Sequence, residues 1–203
     1  MKRIVKIVLT GGPAAGKTTL ISRILNEFKQ ENGWRVITIP ETATELITGG
    51  VAPWTCGTNA EYQQCQVELQ LTKERLFEQA ARTMPGRKIL IVCDRAGMDN
   101  WAYMNEEEGE QVLRYLNTTK EAILSRYDAV FHLDTAARGI QNAYTLANNG
   151  ARIETPAQAV ALDDRTRAAW SQHPYHRVIH SGEDFVAKMQ SLIREVSLFL
   201  GEE

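Results

Sequence analysis

The most specific chemistry in this sequence lies in Gly11-Gly12-Pro13-Ala14-Ala15-Gly16-Lys17-Thr18, followed by Thr19. These residues fit the spacing G-x-x-x-x-G-K-[ST] in full. Glycines at both ends allow successive backbone N–H groups to turn inward toward oxygen atoms. The lysine can reach β- and γ-phosphates, and the threonine hydroxyl can ligate Mg²⁺. The expected ligand is a nucleoside triphosphate, ATP or GTP, bound with Mg²⁺. Three further groups follow apolar runs. Glu41 stands behind residues 34–39 and Pro40, and the pair Asp94-Arg95 stands behind residues 88–93. Asp94 is expected to hold Mg²⁺ with Thr18, directly or through water. Arg95 offers a planar guanidinium to a transferred or acceptor phosphate. Glu41 offers a carboxylate to the proton of an acceptor hydroxyl, with Glu45 one helical turn later as a weaker candidate.

Such groups need elements to hold them. The apolar, β-branched residues 4–9 run into the loop, and an amphipathic segment begins at once behind it. Strand–loop–helix is the context this motif requires. Residues 34–39 read as a second strand and residues 42–48 as a short helix stopped by Gly49-Gly50. Thr58-x-x-Glu61 is a capping box that opens a long helix to about Thr83. On it, Tyr62, Cys65, Leu69, Leu76, Phe77 and Ala80 are expected to form the core stripe. Residues 88–93 are almost wholly apolar, as a central parallel strand would be. Residues 99–117 read as mostly helical around an acidic surface break at 106–110. Residues 119–126 form a short helix, and residues 127–133 are the fourth strand, ending at Asp134-Thr135. Thr155-Pro156-x-Gln158 starts another helix to about Gln172. Residues 175–180 are a fifth strand, and Phe185, Met189, Leu192, Ile193, Val196 and Phe199 form one face of a last helix.

Alternating strands and helices imply an α/β fold with a covered parallel sheet. The pattern predicts a P-loop three-layer sandwich of nucleotide-kinase-like type, with five strands in the order 2-3-1-4-5. It would be one domain over residues 1–203, with a lid inserted after strand 4 at about 136–172. Ligands of such sheets lie at the carboxyl ends of the strands. Glu41, Asp94 and Asp134 are therefore expected around the phosphates. Among the insertion's arginines, Arg152 and Arg165 are the expected lid cations, with Arg138 and Arg167 as solvated neighbours. Ser181 and Gly182, after the fifth strand, are expected to meet the base. There is no Asn-Lys-x-Asp string to select guanine.

Composition narrows the remaining classes. A net charge of −2 supplies no general field for nucleic acid or an anionic membrane. Cys56, Cys65 and Cys93 are odd in number and lack C-x-x-C spacing, so they read as free thiols in a reducing compartment, the cytoplasm. The first apolar run reads as a buried strand rather than a signal peptide, and no stretch suits a transmembrane helix. His173, His176 and His180 have no carboxylate or thiol at ligand spacing and make a poor zinc set.

Thr10-Gly11-Gly12-Pro13, Pro40-Glu41-Thr42-Ala43-Thr44, Gly49-Gly50-Val51 and Cys93-Asp94-Arg95 resemble the AAA-type ATP-binding domain family. That family includes the nicotinamide riboside kinase domain of bacterial NAD regulators and the TRPL translocation defect proteins. Tyr144-Thr145-Leu146-Ala147-Asn148-Asn149, residues 164–170 and His173-Pro174-Tyr175 are similar to the latter group in particular. The resemblance implies ATP or GTP binding with Mg²⁺. It is compatible with two activities. One is a small-molecule kinase that transfers the γ-phosphate to a nucleoside- or metabolite-type acceptor. The other is a nucleotide-dependent switch that hydrolyses slowly and presents a surface to a protein partner.

Overall fold

The computed structural model describes residues 2–31, 33–138, 155–181 and 184–202. Five strands form one parallel sheet: β1 Arg3–Thr10, β2 Trp34–Ile39, β3 Lys88–Asp94, β4 Ala129–Leu133 and β5 His176–Ile179. Their order is β2-β3-β1-β4-β5, the order the sequence pattern predicts. Every pairing is parallel. Among the described residues seven helices accompany them: α1 Lys17–Glu31, α2 Thr42–Thr48, α3 Asn59–Thr83, α4 Glu106–Tyr115, α5 Lys120–Leu124, α6 Pro156–Ala169 and α7 Phe185–Leu200. A 3₁₀ segment, Gly97–Tyr103, follows β3.

The two faces of the sheet carry separate cores. Ile7 and Leu9 of β1 pack with Leu20, Ile24 and Phe28 of α1 and with Leu192, Val196 and Leu200 of α7. Removing each such side chain from water contributes about 1.5–3 kcal/mol. On the other face Val8, Ile89, Ile91 and Cys93 meet Met98, Ile123, Tyr127 and Trp170. Both faces of β3 are covered, which is why its sequence shows no alternation.

Three expectations change. The buried side of α3 is largely polar: Gln63, Gln70 and Glu74 lie inward with Tyr62 and Val67, whereas Cys65 and Leu76 are exposed. Most of these polar atoms find partners, Gln63 Oε1 being an exception among the described residues. Glu74 accepts from Tyr127 Oη at 2.8 Å, Gln70 Nε2 at 2.9 Å, Lys6 Nζ at 3.3 Å and Arg126 Nε at 3.2 Å. Glu106 to Glu108 are no surface break but the first turn of α4. Asn105 and Glu108 cap each other's backbone there, and the acids face the positive end of the helix dipole. The expected lid also divides. Residues 139–154 lie outside the described residues, while α6 buries Ala159, Leu162, Asp163 and Thr166 against the body. Among the described residues no helix is long and apolar enough to cross a membrane.

Candidate functional site

The loop after β1 is shaped by close backbone approaches. Gly11 has φ +139°, and a Cβ on it would lie 2.2 Å from the Leu133 carbonyl oxygen. Gly16 has φ +83°, a conformation that favours glycine. The chain then enters α1, with Thr18 and Thr19 exposed on its first turn. Lys17 folds back over the loop, its Nζ donating to the carbonyls of Gly11 at 3.2 Å and Gly12 at 3.3 Å. Burial, with Arg95 nearby, lowers the Lys17 pKa to about 8, although Asp94, Glu41 and Asp99 pull the other way.

An open pocket of about 360 Å³ faces this loop, lined by residues 13–19 together with Glu41, Asp94 and Arg95. Asp94 ends β3. Its Oδ1 is buried and has no hydrogen-bond partner among the described residues. Burial raises its pKa, against the lowering pull of Lys17. A buried, unanswered carboxylate oxygen in the same pocket as the Thr18 hydroxyl supplies hard oxygen donors of the kind Mg²⁺ prefers. The residues therefore fit the ion that the loop implies.

Glu41 holds the N-cap position of α2, but its carboxylate accepts no backbone N–H there. Its Oε1 accepts from Arg95 Nε at 2.7 Å, and its Oε2 accepts from Thr44 Oγ1 at 2.7 Å. Burial works to raise its pKa, but Arg95, Thr44 and Lys17 outweigh it and hold the carboxyl below its ordinary value. Arg95 itself has φ +62°, an uncommon conformation for a residue with a Cβ. Burial opposes its charge, and Tyr103, Asp99, Glu41 and Asp94 overcome that to keep the guanidinium firmly protonated.

Asp99, which sequence reasoning passed over, supports this arrangement from inside the fold. It is 3 % exposed and accepts from Thr10 Oγ1, from Arg95 Nη1 at 3.2 Å, from the Ala96 N–H at 2.9 Å and from Trp170 Nε1 at 3.2 Å.

On the far side of the loop the acids are engaged differently. Asp163 of α6 accepts from the Gly12 N–H at 2.7 Å, Arg138 Nε at 2.9 Å and His132 Nε2 at 3.1 Å. Despite burial these partners lower its pKa to about 2. Asp134 does not face the pocket, contrary to expectation. Thr135 turns the chain by donating to the Pro13 carbonyl, and Asp134 Oδ2 lies 2.9 Å from His180 Nδ1. Lys188 of α7 donates to the carbonyls of Asp134 and Ala15. His132, Asp134 and Asp163 are close enough to share a cation. However, Asp163 already has three donors, and Lys188 and Arg138 bring positive charge there. Asp163 is thus compensated, while Asp134 Oδ1 and His132 Nδ1 are buried without hydrogen-bond partners among the described residues.

The structure thus gathers Lys17, Glu41, Asp94 and Arg95 around one pocket with the loop residues Pro13, Ala14, Ala15, Gly16, Thr18 and Thr19, whereas Gly11 and Gly12 are buried behind it and do not line it. It does not bring Arg165 there. Ala159, Leu162, Thr166 and Trp170 define the inward side of α6, and Arg165 is exposed on the opposite side. Arg138, read as solvated, is instead tied to Asp163 and Asp164. Ser181 Oγ pins the β4 exit by donating to the carbonyls of Asp134 at 3.0 Å and Thr135 at 3.2 Å. Arg152 and Gly182 lie outside the described residues. His173 is a satisfied core histidine, bonded to the Tyr127 carbonyl and the Tyr175 N–H.

Comparison with known proteins agrees with this fold. A family described as an AAA domain matches residues 6–187. No curated protein matches the chain by sequence. Among solved structures, a deoxyadenosine kinase from M. mycoides with bound dATP superposes with a TM-score of 0.59 at 14 % identity. The match covers 95 % of this chain and 99 % of that one. At that identity the likeness concerns the fold.

Proposed function

The chain belongs to the AAA domain family, and from that premise we propose that it is a Mg²⁺-dependent phosphotransferase. It would move the γ-phosphate of ATP or GTP to a hydroxyl of a small nucleoside- or metabolite-type acceptor. One observation carries the reading: the Glu41–Arg95 pair lines the same pocket as Lys17, with the Glu41 carboxylate accepting no backbone N–H of α2. Loop amides and Lys17 hold the β- and γ-phosphates. Thr18 and Asp94 would hold Mg²⁺, which when bound neutralises developing phosphate charge. Glu41, ionised at neutral pH, takes the acceptor proton as the acceptor oxygen bonds to the γ-phosphorus. The bridging oxygen then leaves on the nucleoside diphosphate. Arg95 faces the equatorial oxygens with a guanidinium that stays charged.

The kinase with bound dATP that shares the fold supports a nucleoside-type acceptor. The strings in residues 144–149 and 164–175 favour the translocation defect branch of the family. Free Cys56, Cys65 and Cys93 suit the cytoplasm. A nucleotide-dependent switch is the competing reading. It draws on Ile47, Val51 and the 75 % exposed Trp54, a possible partner surface next to α2.

The deciding experiment follows label from γ-labelled ATP and GTP in the presence of a small-metabolite extract, with Lys17→Ala as control. A labelled metabolite that disappears in the variant is the expected result. Label released only as slow free phosphate would favour the switch.

A further inference from the structure

We propose that Asp99 is a positioning residue that fixes Arg95 toward the phosphates independently of Glu41, so that Glu41 can release Arg95 and accept a proton. The proposal rests on the phosphotransfer reading above. Its basis is that Arg95 has two carboxylate partners of unequal freedom. Glu41 is one-third exposed, lines the pocket and, among the described residues, is held by Arg95 Nε and Thr44 Oγ1. Asp99 is almost fully buried and anchored from three elements: Thr10 at the end of β1, Ala96 after β3 and Trp170 at the end of α6. Trp170 is wholly buried and packs edge-on against Tyr127, with ring centroids 5.3 Å apart.

A plain helix-start acid would need only the bond from the Ala96 N–H to Oδ2. Here Oδ1 also serves Thr10 and Arg95. Arg95 further donates its backbone N–H to the Leu9 carbonyl at 3.0 Å, so its unusual backbone conformation is fixed from the same strand. When Glu41 turns to an acceptor hydroxyl, Arg95 loses its Nε partner and retains Asp99. Its charge remains answered, and its guanidinium stays where the γ-phosphate develops charge. Thr10 immediately precedes the phosphate-binding loop, so Asp99 sets the arginine and the loop in one frame.

A double-mutant cycle on the full chain tests this, with γ-phosphate transfer measured for wild type, Asp99→Asn, Arg95→Ala and the double variant. Asp99→Asn should lower kcat about 30-fold while leaving the KM for ATP within about twofold, the effect of a misplaced group. Added to Arg95→Ala, it should change kcat less than about twofold. An equal further loss in that background, or a loss in KM alone, would overturn the proposal. Failure of the phosphotransfer reading shows separately, as wild-type protein that labels no acceptor. In that case the guanidinium Nη–H resonances of Arg95 in ¹⁵N-arginine-labelled protein decide. Asp99→Asn should release the Nη1 protons to rapid exchange, since Asp99 is their acceptor, and an unchanged signal refutes the positioning. If Asp99→Asn does not fold, Thr10→Val removes one anchor of Asp99. A smaller kcat loss that vanishes in Arg95→Ala is expected, and persistence there refutes the proposal.

Discussion

Two acidic clusters flank the phosphate-binding loop, one toward β3 and one toward β4. They differ in what answers their charge. Toward β3, Asp94 keeps a buried oxygen without a donor, and the Glu41–Arg95 pair borders an open pocket. Toward β4, Asp163 receives a backbone N–H, a guanidinium and an imidazole. The first side is incomplete in a way that a cation and phosphates would complete. The second side braces the loop, joining Gly12 to α6 and, through Lys188, Ala15 to α7. Neither acid content nor an unanswered oxygen alone marks the site, since Asp134 Oδ1 also lacks a donor among the described residues; the open pocket that Asp94 shares with the loop does.

Matched substitutions should separate the two sides. Asp94→Asn is expected to cut Mg²⁺-dependent turnover at least about 100-fold, by analogy with loss of one charge-stabilising group. Thermal stability should hold or rise, because burial already disfavours the Asp94 charge. Asp163→Asn should keep the Mg²⁺ dependence and lose stability, about 3–5 kcal/mol for breaking a buried charge network. Urea melts and Mg²⁺ titrations of both variants check this, and a reversal of the two patterns would break the comparison.

Next in size is Glu41→Gln. As the proposed base it should slow transfer about 100-fold or more. Nucleotide affinity should change less than about threefold, since Glu41 touches Arg95 and Thr44 rather than the loop. Full transfer by the variant would remove Glu41 from the chemistry. Gly12→Ala is smaller again and acts on the bracing side. Its Cβ would lie 2.8 Å from Asp163 Cβ and 3.1 Å from Asp163 Cα. Backbone must yield, at about 1–3 kcal/mol for overpacking. Gly50→Ala meets open space, so only its φ of +91° opposes it.

How much of this was legible in the sequence follows from what a local pattern can encode. The loop, the five strands and their order rest on spacing and unbroken apolar runs, and both are local. Glu41, Asp94 and Arg95 were legible because they follow strands directly. Asp99 and Asp163 were not, because their partners Thr10 and Gly12 lie 89 and 151 residues away in sequence. The inward side of α3 escaped hydrophobic periodicity for the same reason. Gln70 and Glu74 are buried by bonds to Thr42, Tyr127 and Lys6 rather than by apolarity. Asp134 was placed at the correct sheet edge and on the wrong side of the loop, since strand ends give height and not direction. Arg165 could have been excluded, because Leu162, Thr166 and Trp170 already mark the opposite side of α6.

The smallest expected effect uses pH to compare binding with bracing. Lys17 on the open side and Lys188 on the braced side both have pKa values lowered to about 8, in each case chiefly by burial. Bound phosphates would raise the Lys17 value, so the complex holds a proton that the free protein releases above pH 8. Affinity for ATP should therefore be level up to about pH 8 and then fall by at most about tenfold per unit. Folding stability should move the opposite way. From about pH 8 to 10.5 the unfolded chain binds more protons at these lysines than the native protein does, so their contribution to stability rises with pH. Falling affinity with steady or rising stability would identify loss of the Lys17 charge, whereas a parallel fall would mean that the protein is simply unfolding. Lys17→Arg sharpens the distinction. Its guanidinium stays protonated, so the affinity profile from pH 7 to 9.5 should flatten even if the affinity itself is lower.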